Sequence, residues 1–231
     1  MVIRFADRQQ AGELLAAKLT AYANRSDVLV LALPRGGVPV GFALARILQV
    51  SLDIFLVRKL GVPNHEELAM GAIASSGVRV LNTEIINTLR IPHAVIDVVA
   101  TREQREIDRR ERQYRAGRPV PKIRGRIILL VDDGLATGAT MRAAVTAVRQ
   151  HQPAKVVVAV PIAAEEICTE LRAQADEVVC AVTPEPFYAV GLWYADFTQV
   201  TDQEVRDLLT QAARLPFNTT STDDADYAPA P

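Results

Sequence analysis

An open, mainly parallel β-sheet flanked by helices is the architecture that this sequence predicts, and three observations predict it. The apolar runs Val28 to Leu33, Leu52 to Val57, Ile127 to Val131 and Val156 to Val160 are continuous. They lack the polar alternation of a half-exposed strand, so each suits a strand covered on both faces. Helical patterns intervene between most of these runs, and such alternation implies parallel pairing through right-handed crossovers. The turns richest in chemistry, Pro34-Arg35-Gly36-Gly37 and Asp132-Asp133-Gly134, come where two of the runs end. Ligands of open α/β sheets bind at the carboxyl ends of strands.

With 231 residues, 49% of them hydrophobic, and a net charge of -1, the chain is long enough for one large α/β domain. That domain is expected over residues 1–217, with an N-terminal helix at 8–23 and a small hood mainly at 184–200. The segment 218–231, rich in Thr, Asp, Ala and Pro, reads as a disordered tail. Near-neutral charge argues against a protein devoted to coating nucleic acid. From Arg102 to Arg126 ten cations face four acids, an excess of about six. Tyr114 is the one aromatic residue among them, too few for interleaved stacking, so nucleic acid is not an expected partner. No apolar run approaches the roughly 20 residues that span a bilayer. Cys168 and Cys180 have no metal-ligand spacing and no basic-then-apolar leader opens the chain, so the cytoplasm is the expected compartment.

Leu14, Leu15, Leu19 and Tyr22 recur at helical spacing after Asp7, a suitable cap. The strand Val28 to Leu33 feeds Pro34-Arg35-Gly36-Gly37 and then a helix from Val38 to Leu48. Those glycines miss both the dinucleotide fingerprint and the Gly-Lys-Ser/Thr ending of the triphosphate loop. Two readings are left: a tight turn that needs glycine, or backbone amides and a guanidinium gathered on an anion. Leu52 to Val57 ends in Arg58-Lys59, again placing cations at a strand end, and the polar loop from Lys59 to Glu67 is a candidate lid. Ala69 to Ala74 and Val78 to Leu81 flank Ser75-Ser76-Gly77 as a hairpin. Asn82 caps a short helix, and Pro92 opens a long one through about Tyr114 whose charges stand at ion-pair spacing. After the Asp132 element come a strand at Val156 to Val160, a helix at Glu165 to Ala173, a strand at Glu177 to Val182 and a last helix at Asp202 to Leu215. The loop between those last two holds Phe187, Tyr188, Trp193, Tyr194 and Phe197, placed either to cap the core or to stack on a planar ligand.

The small residues from Gly134 to Thr140 let successive amides and the Thr137 and Thr140 hydroxyls converge on one anion, reinforced by the dipole of the helix that follows. A phosphate monoester fits that cradle. Asp132 and Asp133 are repelled by it, and suit instead the vicinal hydroxyls of a ribose or a hydrated magnesium ion.

The run Leu129 to Thr140, with apolar residues, two acids, a small-residue loop containing Thr137-Gly138 and a closing Thr140, resembles the phosphoribosyl pyrophosphate signature of type I phosphoribosyltransferases. The resemblance covers roughly Val28 to Phe197. It implies a helix-flanked parallel sheet with a hood and a β-hairpin flexible loop, and a magnesium-dependent transfer of the 5-phosphoribosyl group to a nitrogen acceptor, a nucleobase or related heterocycle, with release of pyrophosphate. It implies a dimer as well. Asp132 and Asp133 would lie on the ribose hydroxyls and reach the metal through these or through water. Ala136, Thr137, Gly138, Ala139 and Thr140 would hold the 5-phosphate. Arg35, Gly36 and Gly37 fall at the pyrophosphate loop, where the family often has a non-proline cis peptide, expected here before Gly36. Arg58 and Lys59 resemble the start of the catalytic loop of adenine enzymes, and Glu66 or Glu67 would supply an acid or base. Phe187, Val190, Gly191 and Asp196 look like the hood of hypoxanthine-type enzymes, with Trp193 beside them. Ala136 stands where 6-oxopurine enzymes have an acid, and Pro161 to Ala164 lacks their lysine, so the acceptor stays open. The alternative is a regulatory protein that binds the sugar phosphate or a nucleotide without turnover.

Overall fold

Residues 4–217 are described by the computed structural model, and the expected tail at 218–231 lies outside them. In chain order the strands are β1 (Val28–Ala32), β2 (Ser51–Ile54), β3 (Val57–Val62), β4 (His65–Ala74), β5 (Arg79–Leu81), β6 (Ile127–Val131), β7 (Lys155–Ile162) and β8 (Glu177–Val182). The helices are α1 (Arg8–Ala17), α2 (Gly37–Leu48), α3 (Thr83–Leu89), α4 (His93–Arg115), α5 (Ala139–Arg149), α6 (Glu165–Arg172) and α7 (Asp202–Ala213). Five strands form a parallel sheet in the order β2-β1-β6-β7-β8, and β3, β4 and β5 form a separate antiparallel sheet.

The continuous apolar runs are explained by what covers them. Val28, Val30 and Ala32 of β1, with Leu129 and Val131 of β6, bury into one apolar layer with α1, α2, α4 and α7. Their alternate neighbours Leu29, Leu31, Ile128 and Leu130 bury into a second layer with α5 and α6. Side chains of a strand point to opposite faces in turn, so a strand between two helical layers needs apolar residues throughout. The order reverses direction between β1 and β6, which makes the gap between their carboxyl ends the switch point where such sheets bind ligands.

Caps fall where the sequence places them: Asp7 accepts from the Gln10 amide at 2.8 Å and Asn82 from the Ile85 amide at 3.1 Å. Three expectations need correction. The first helix ends at Ala17, and a 3-10 turn at Thr20–Tyr22 carries the rest of the apolar pattern, which recorded burial of Tyr22 and not one unbroken helix. The run Leu52 to Val57 is two strands. β2 stops at Ile54, and because Ile54, Phe55 and Leu56 are all buried, no polar residue marks the corner into β3. Arg58 and Lys59 therefore lie inside β3, not at the end of a parallel strand, and the candidate lid is the β3–β4 hairpin, turning at Asn64 with φ 66°. The hairpin expected across Ser75 to Gly77 is present as β4–β5.

Cys168 of α6 and Cys180 of β8, read from sequence as fitting a reducing compartment, are joined in a disulfide. Among the described residues no helix is long and apolar enough to cross a membrane.

Candidate active site

Parallel pairing of β1 with β6, Ala32 opposite Val131, brings the turn after each strand to the same place. The Leu33 amide donates to the Val131 carbonyl at 2.8 Å, which carries the chain of the first turn over the second. Gly36 and Gly37 then press directly on the two acids. A Cβ on Gly36 would stand 2.0 Å from Asp133 Oδ2, and one on Gly37 would stand 2.7 Å from the Val131 carbonyl and 2.9 Å from Asp132 Cα. Backbone atoms block a side chain at Gly37, so glycine there is a packing requirement, whereas a side chain at Gly36 would have to displace the Asp133 carboxylate. A cis peptide precedes them at Pro34–Arg35, one bond earlier than expected, and Gly36 has helical φ and ψ as the cap of α2.

Asp132 is half-buried. Burial, and next the neighbouring Asp133 carboxylate, push its carboxyl well above the usual carboxylate range, although the Asp133 amide donates to Asp132 Oδ1 at 2.9 Å. Asp133 is held differently: Arg8 Nε donates to its Oδ2 at 2.8 Å and the Tyr194 hydroxyl donates to its carbonyl at 2.6 Å. The loop beyond leans on β7, the Leu135 amide donating to the Ile162 carbonyl at 2.9 Å. Gly138, with φ 67°, turns the chain into α5. Ala136, Thr137, Ala139 and Thr140 surround that turn, all four exposed around the buried Gly138, so the open amides of the first turn of α5 lie beside the two threonines.

The structure separates Arg58 from Lys59. Adjacent residues of a strand point to opposite faces. Arg58 faces α4, where Nε and Nη2 lie 2.8 and 2.7 Å from Oε2 of the buried Glu103. Lys59 is exposed on the other face and lines a cavity of about 560 Å³ with Ala139 and Thr140 of α5. Arg35 reaches toward α7, its Nη1 3.7 Å from Asp202 Oδ1, while the same oxygen accepts from the Tyr114 hydroxyl at 2.6 Å. That hydroxyl bond holds the Asp202 carboxyl below its ordinary range, and burial with the same bond pushes the Tyr114 phenol up to about 12. Glu66 and Glu67 fall in β4 just beyond the hairpin turn, and their side chains lie outside the described set.

In the hood, Phe187 and Trp193 pack against a small cluster of Phe5, Ile162 and Tyr194. The N-terminal segment is woven into it: the Phe5 amide donates to the Trp193 carbonyl, and the Phe5 carbonyl accepts from the Ala195 amide, both at 2.8 Å. Asp196 is exposed and accepts from the Thr198 amide at 2.9 Å and hydroxyl at 2.6 Å; the hydroxyl bond lowers its carboxyl. Gly134 sits tightly under the hood, since a Cβ there would stand 2.5 Å from Val190 Cγ1.

Sequence reasoning missed Arg8. Its guanidinium bonds Asp133, donates to the Thr198 carbonyl at 2.9 Å and lies 4.0 Å over the Phe197 ring, so one side chain ties α1, the acidic turn and the hood together. One signal was available. A cation in the first turn of a helix opposes the macrodipole, which makes an acid elsewhere in the fold its natural partner. Tyr194 appeared only as one aromatic among five; nothing in its spacing points to the backbone of Asp133.

The geometry can now be set beside known proteins. The family model for the phosphoribosyl transferase domain matches residues 6–191. Two proteins from separate strains of Mycobacterium tuberculosis, each named provisionally as a phosphoribosyl transferase, are 47% identical over 210 residues, covering 91% of this chain and 47% of theirs. The chain thus spans about half the length of the curated relatives it matches. The solved structure of the Thermus thermophilus protein TT1426 is 42% identical, with a TM-score of 0.80 over 90% of this chain and 98% of that one. This chain, with its acidic turn and phosphate-loop-like turn at the sheet's switch point, belongs to the phosphoribosyl transferase domain family.

Proposed function

We propose that the chain is a phosphoribosyltransferase that moves the 5-phosphoribosyl group from phosphoribosyl pyrophosphate to a nitrogen acceptor, a nucleobase or related heterocycle, and releases pyrophosphate. One observation carries this reading. Two carboxylates and an open helix N-terminus stand side by side at the switch point, matched to a diol and a phosphate on one sugar.

In this reading Asp132 and Asp133 accept hydrogen bonds from the ribose 2- and 3-hydroxyls, and residues 136–140 hold the 5-phosphate. The turn Arg35-Gly36-Gly37 holds the pyrophosphate. As the bond to pyrophosphate breaks, positive charge develops on the ribose ring, and the half-buried acid pair lies where it stabilises that charge more than it stabilises the ground state. Lys59, carried by the hairpin, neutralises the departing anion, and closure of the hairpin keeps water from competing as nucleophile. Arg58, fixed by Glu103, positions the strand that carries Lys59. Among the described residues no group of three His, Cys, Asp or Glu side chains is placed to hold a metal. The two carboxylates of the acidic turn fit magnesium, which takes one or two carboxylates and draws other ligands from phosphates and water. Asp132 and Asp133 would be its neighbours, and when bound it supplies charge neutralisation of the pyrophosphate.

Titration of the protein with phosphoribosyl pyrophosphate in the presence of magnesium tests the site. Asp132→Asn with Asp133→Asn is expected to weaken binding by about 100-fold or more, roughly 3 kcal/mol, with an unchanged circular dichroism spectrum. Unaltered affinity in that variant contradicts the diol assignment.

A further inference from the structure

Arg35 stands in the turn after β1 with little of its own to lean on. Its chain neighbours are Pro34, Gly36 and Gly37, none of which carries a side chain able to hold a guanidinium. Among the described residues its one ion-pair partner is Asp202, in the first turn of α7, with Nη1 3.7 Å from Oδ1. The two side chains are 33% and 35% exposed, so a ligand can reach the pair.

The partners are not held equally. Asp202 Oδ1 also accepts from the Tyr114 hydroxyl at 2.6 Å and Oδ2 from Gln113 Nε2 at 3.4 Å, so both carboxylate oxygens are engaged from α4. Tyr114 is buried, and the next residue, Arg115, fixes this end of α4 to β2 through Asp53 at 2.6 Å and the Ile54 carbonyl at 3.1 Å. The start of α7 is capped by Thr201, which accepts from the Glu204 amide at 3.1 Å, and Arg118 Nη1 ties the helix to the end of α4 by donating to the Leu209 carbonyl at 2.8 Å. The carboxylate is thus set by two helices and a strand, whereas the guanidinium is set by the carboxylate. The Tyr114 bond also holds the Asp202 carboxyl below its ordinary range, which keeps it ionised beside the arginine.

Fixing a free arginine on a ligand costs conformational entropy, because the side chain is long and has many rotamers. One that is already held loses less when an anion arrives. At 3.7 Å the contact with Asp202 is longer than a hydrogen bond, so it aims the guanidinium without using up its donors. We propose that Asp202 is a positioning residue: it aims Arg35 at the pyrophosphate and so couples α4 and α7 to the turn after β1. This role rests on the phosphoribosyltransferase reading above, and Asp202 itself touches no substrate in it.

Isothermal titration of the full chain, with magnesium, against inorganic pyrophosphate and separately against ribose 5-phosphate tests this. The wild type is expected to bind both. Asp202→Asn should weaken pyrophosphate binding about tenfold and change ribose 5-phosphate binding by less than about twofold, the second ligand serving as a control for the fold. Tyr114→Phe, which keeps the ring and removes the hydroxyl, should weaken pyrophosphate in the same sense by about threefold. With Arg35→Ala already in place, Asp202→Asn should change pyrophosphate affinity no further, because its effect runs through that side chain. Equal weakening of both ligands would make Asp202 a structural residue only, and tighter pyrophosphate binding would make it a competitor for Arg35. Either result overturns the proposal, as does unchanged pyrophosphate affinity or a full effect of Asp202→Asn in the Arg35→Ala background. A wild type that binds neither ligand overturns the phosphoribosyltransferase reading together with this role, whereas a wild type that binds both and an Asp202→Asn variant that matches it overturn this role alone.

Discussion

Asp132 and Asp133 are neighbours with opposite surroundings. Asp133 has Arg8 at 2.8 Å, whereas the carboxyl of the half-buried Asp132 is pushed up, first by burial and then by Asp133. A carboxyl whose folded pKa lies above its unfolded value takes up its proton more readily in the folded state. That preference supports the fold below the unfolded value near 3.8 and is lost as pH rises through the higher folded value. Asp132→Asn should therefore raise the thermal midpoint at neutral pH by a few degrees, each kcal/mol being worth roughly 2–4 °C in a chain of this size, and flatten the fall in stability above about pH 4. A midpoint that drops at neutral pH would contradict this account of the carboxyl. Under the proposed function the same substitution is expected to weaken sugar-phosphate binding, and the acid is then kept at some cost in stability, as site residues often are. Legibility at this scale was uneven. The acids, the glycines and the threonines announce themselves by type and spacing. Arg8 and Tyr194 do not, because their partners are 125 and 61 positions away in the chain and only the fold brings them together.

Among the elements, α1 and the β3–β4 hairpin shape the site from outside the parallel sheet. The first helix delivers Arg8 to the acidic turn, and the segment before it pairs with the hood through Phe5. Arg8→Ala should loosen the hood more than the phosphate loop, raising the Michaelis constant for the acceptor about tenfold while changing phosphoribosyl pyrophosphate affinity by less than about threefold. Equal losses for both substrates would show that Arg8 acts only through Asp133. The hairpin presents Lys59 to the cavity beside Thr140, whereas Arg58 is turned away to Glu103. Lys59→Ala is accordingly expected to lower kcat by about 100-fold with less than about a fivefold change in sugar-phosphate binding. A larger effect on binding than on kcat would make Lys59 a ground-state contact. The sequence showed two adjacent cations but not their separation, since Leu52 to Val57 hid the corner at which the chain leaves one sheet for the other. The two-residue period of β3 could only be applied once that strand was known to begin at Val57.

At the scale of the molecule, the fold class could be read from the continuous apolar strands and the helices between them, because burial between two helical layers leaves that pattern in the sequence. Strand order could not be read in this way. Which strand neighbours which is decided by packing of α1, α2, α4 and α7 on one face and α5 and α6 on the other, and the placing of β1 beside β6 is what creates the switch point. The disulfide between Cys168 and Cys180 was equally hidden, since twelve positions of separation carry no pairing information until α6 lies against β8. The central claim is that this arrangement performs group transfer to a nitrogen acceptor. The direct test is to incubate the purified chain with phosphoribosyl pyrophosphate, magnesium and a panel of purine, pyrimidine and related bases, and to measure pyrophosphate release together with product mass. The account predicts acceptor-dependent pyrophosphate release with a product heavier than one base by a phosphoribosyl group. Tight binding of phosphoribosyl pyrophosphate with no turnover on any acceptor would contradict it and make the chain a binding protein.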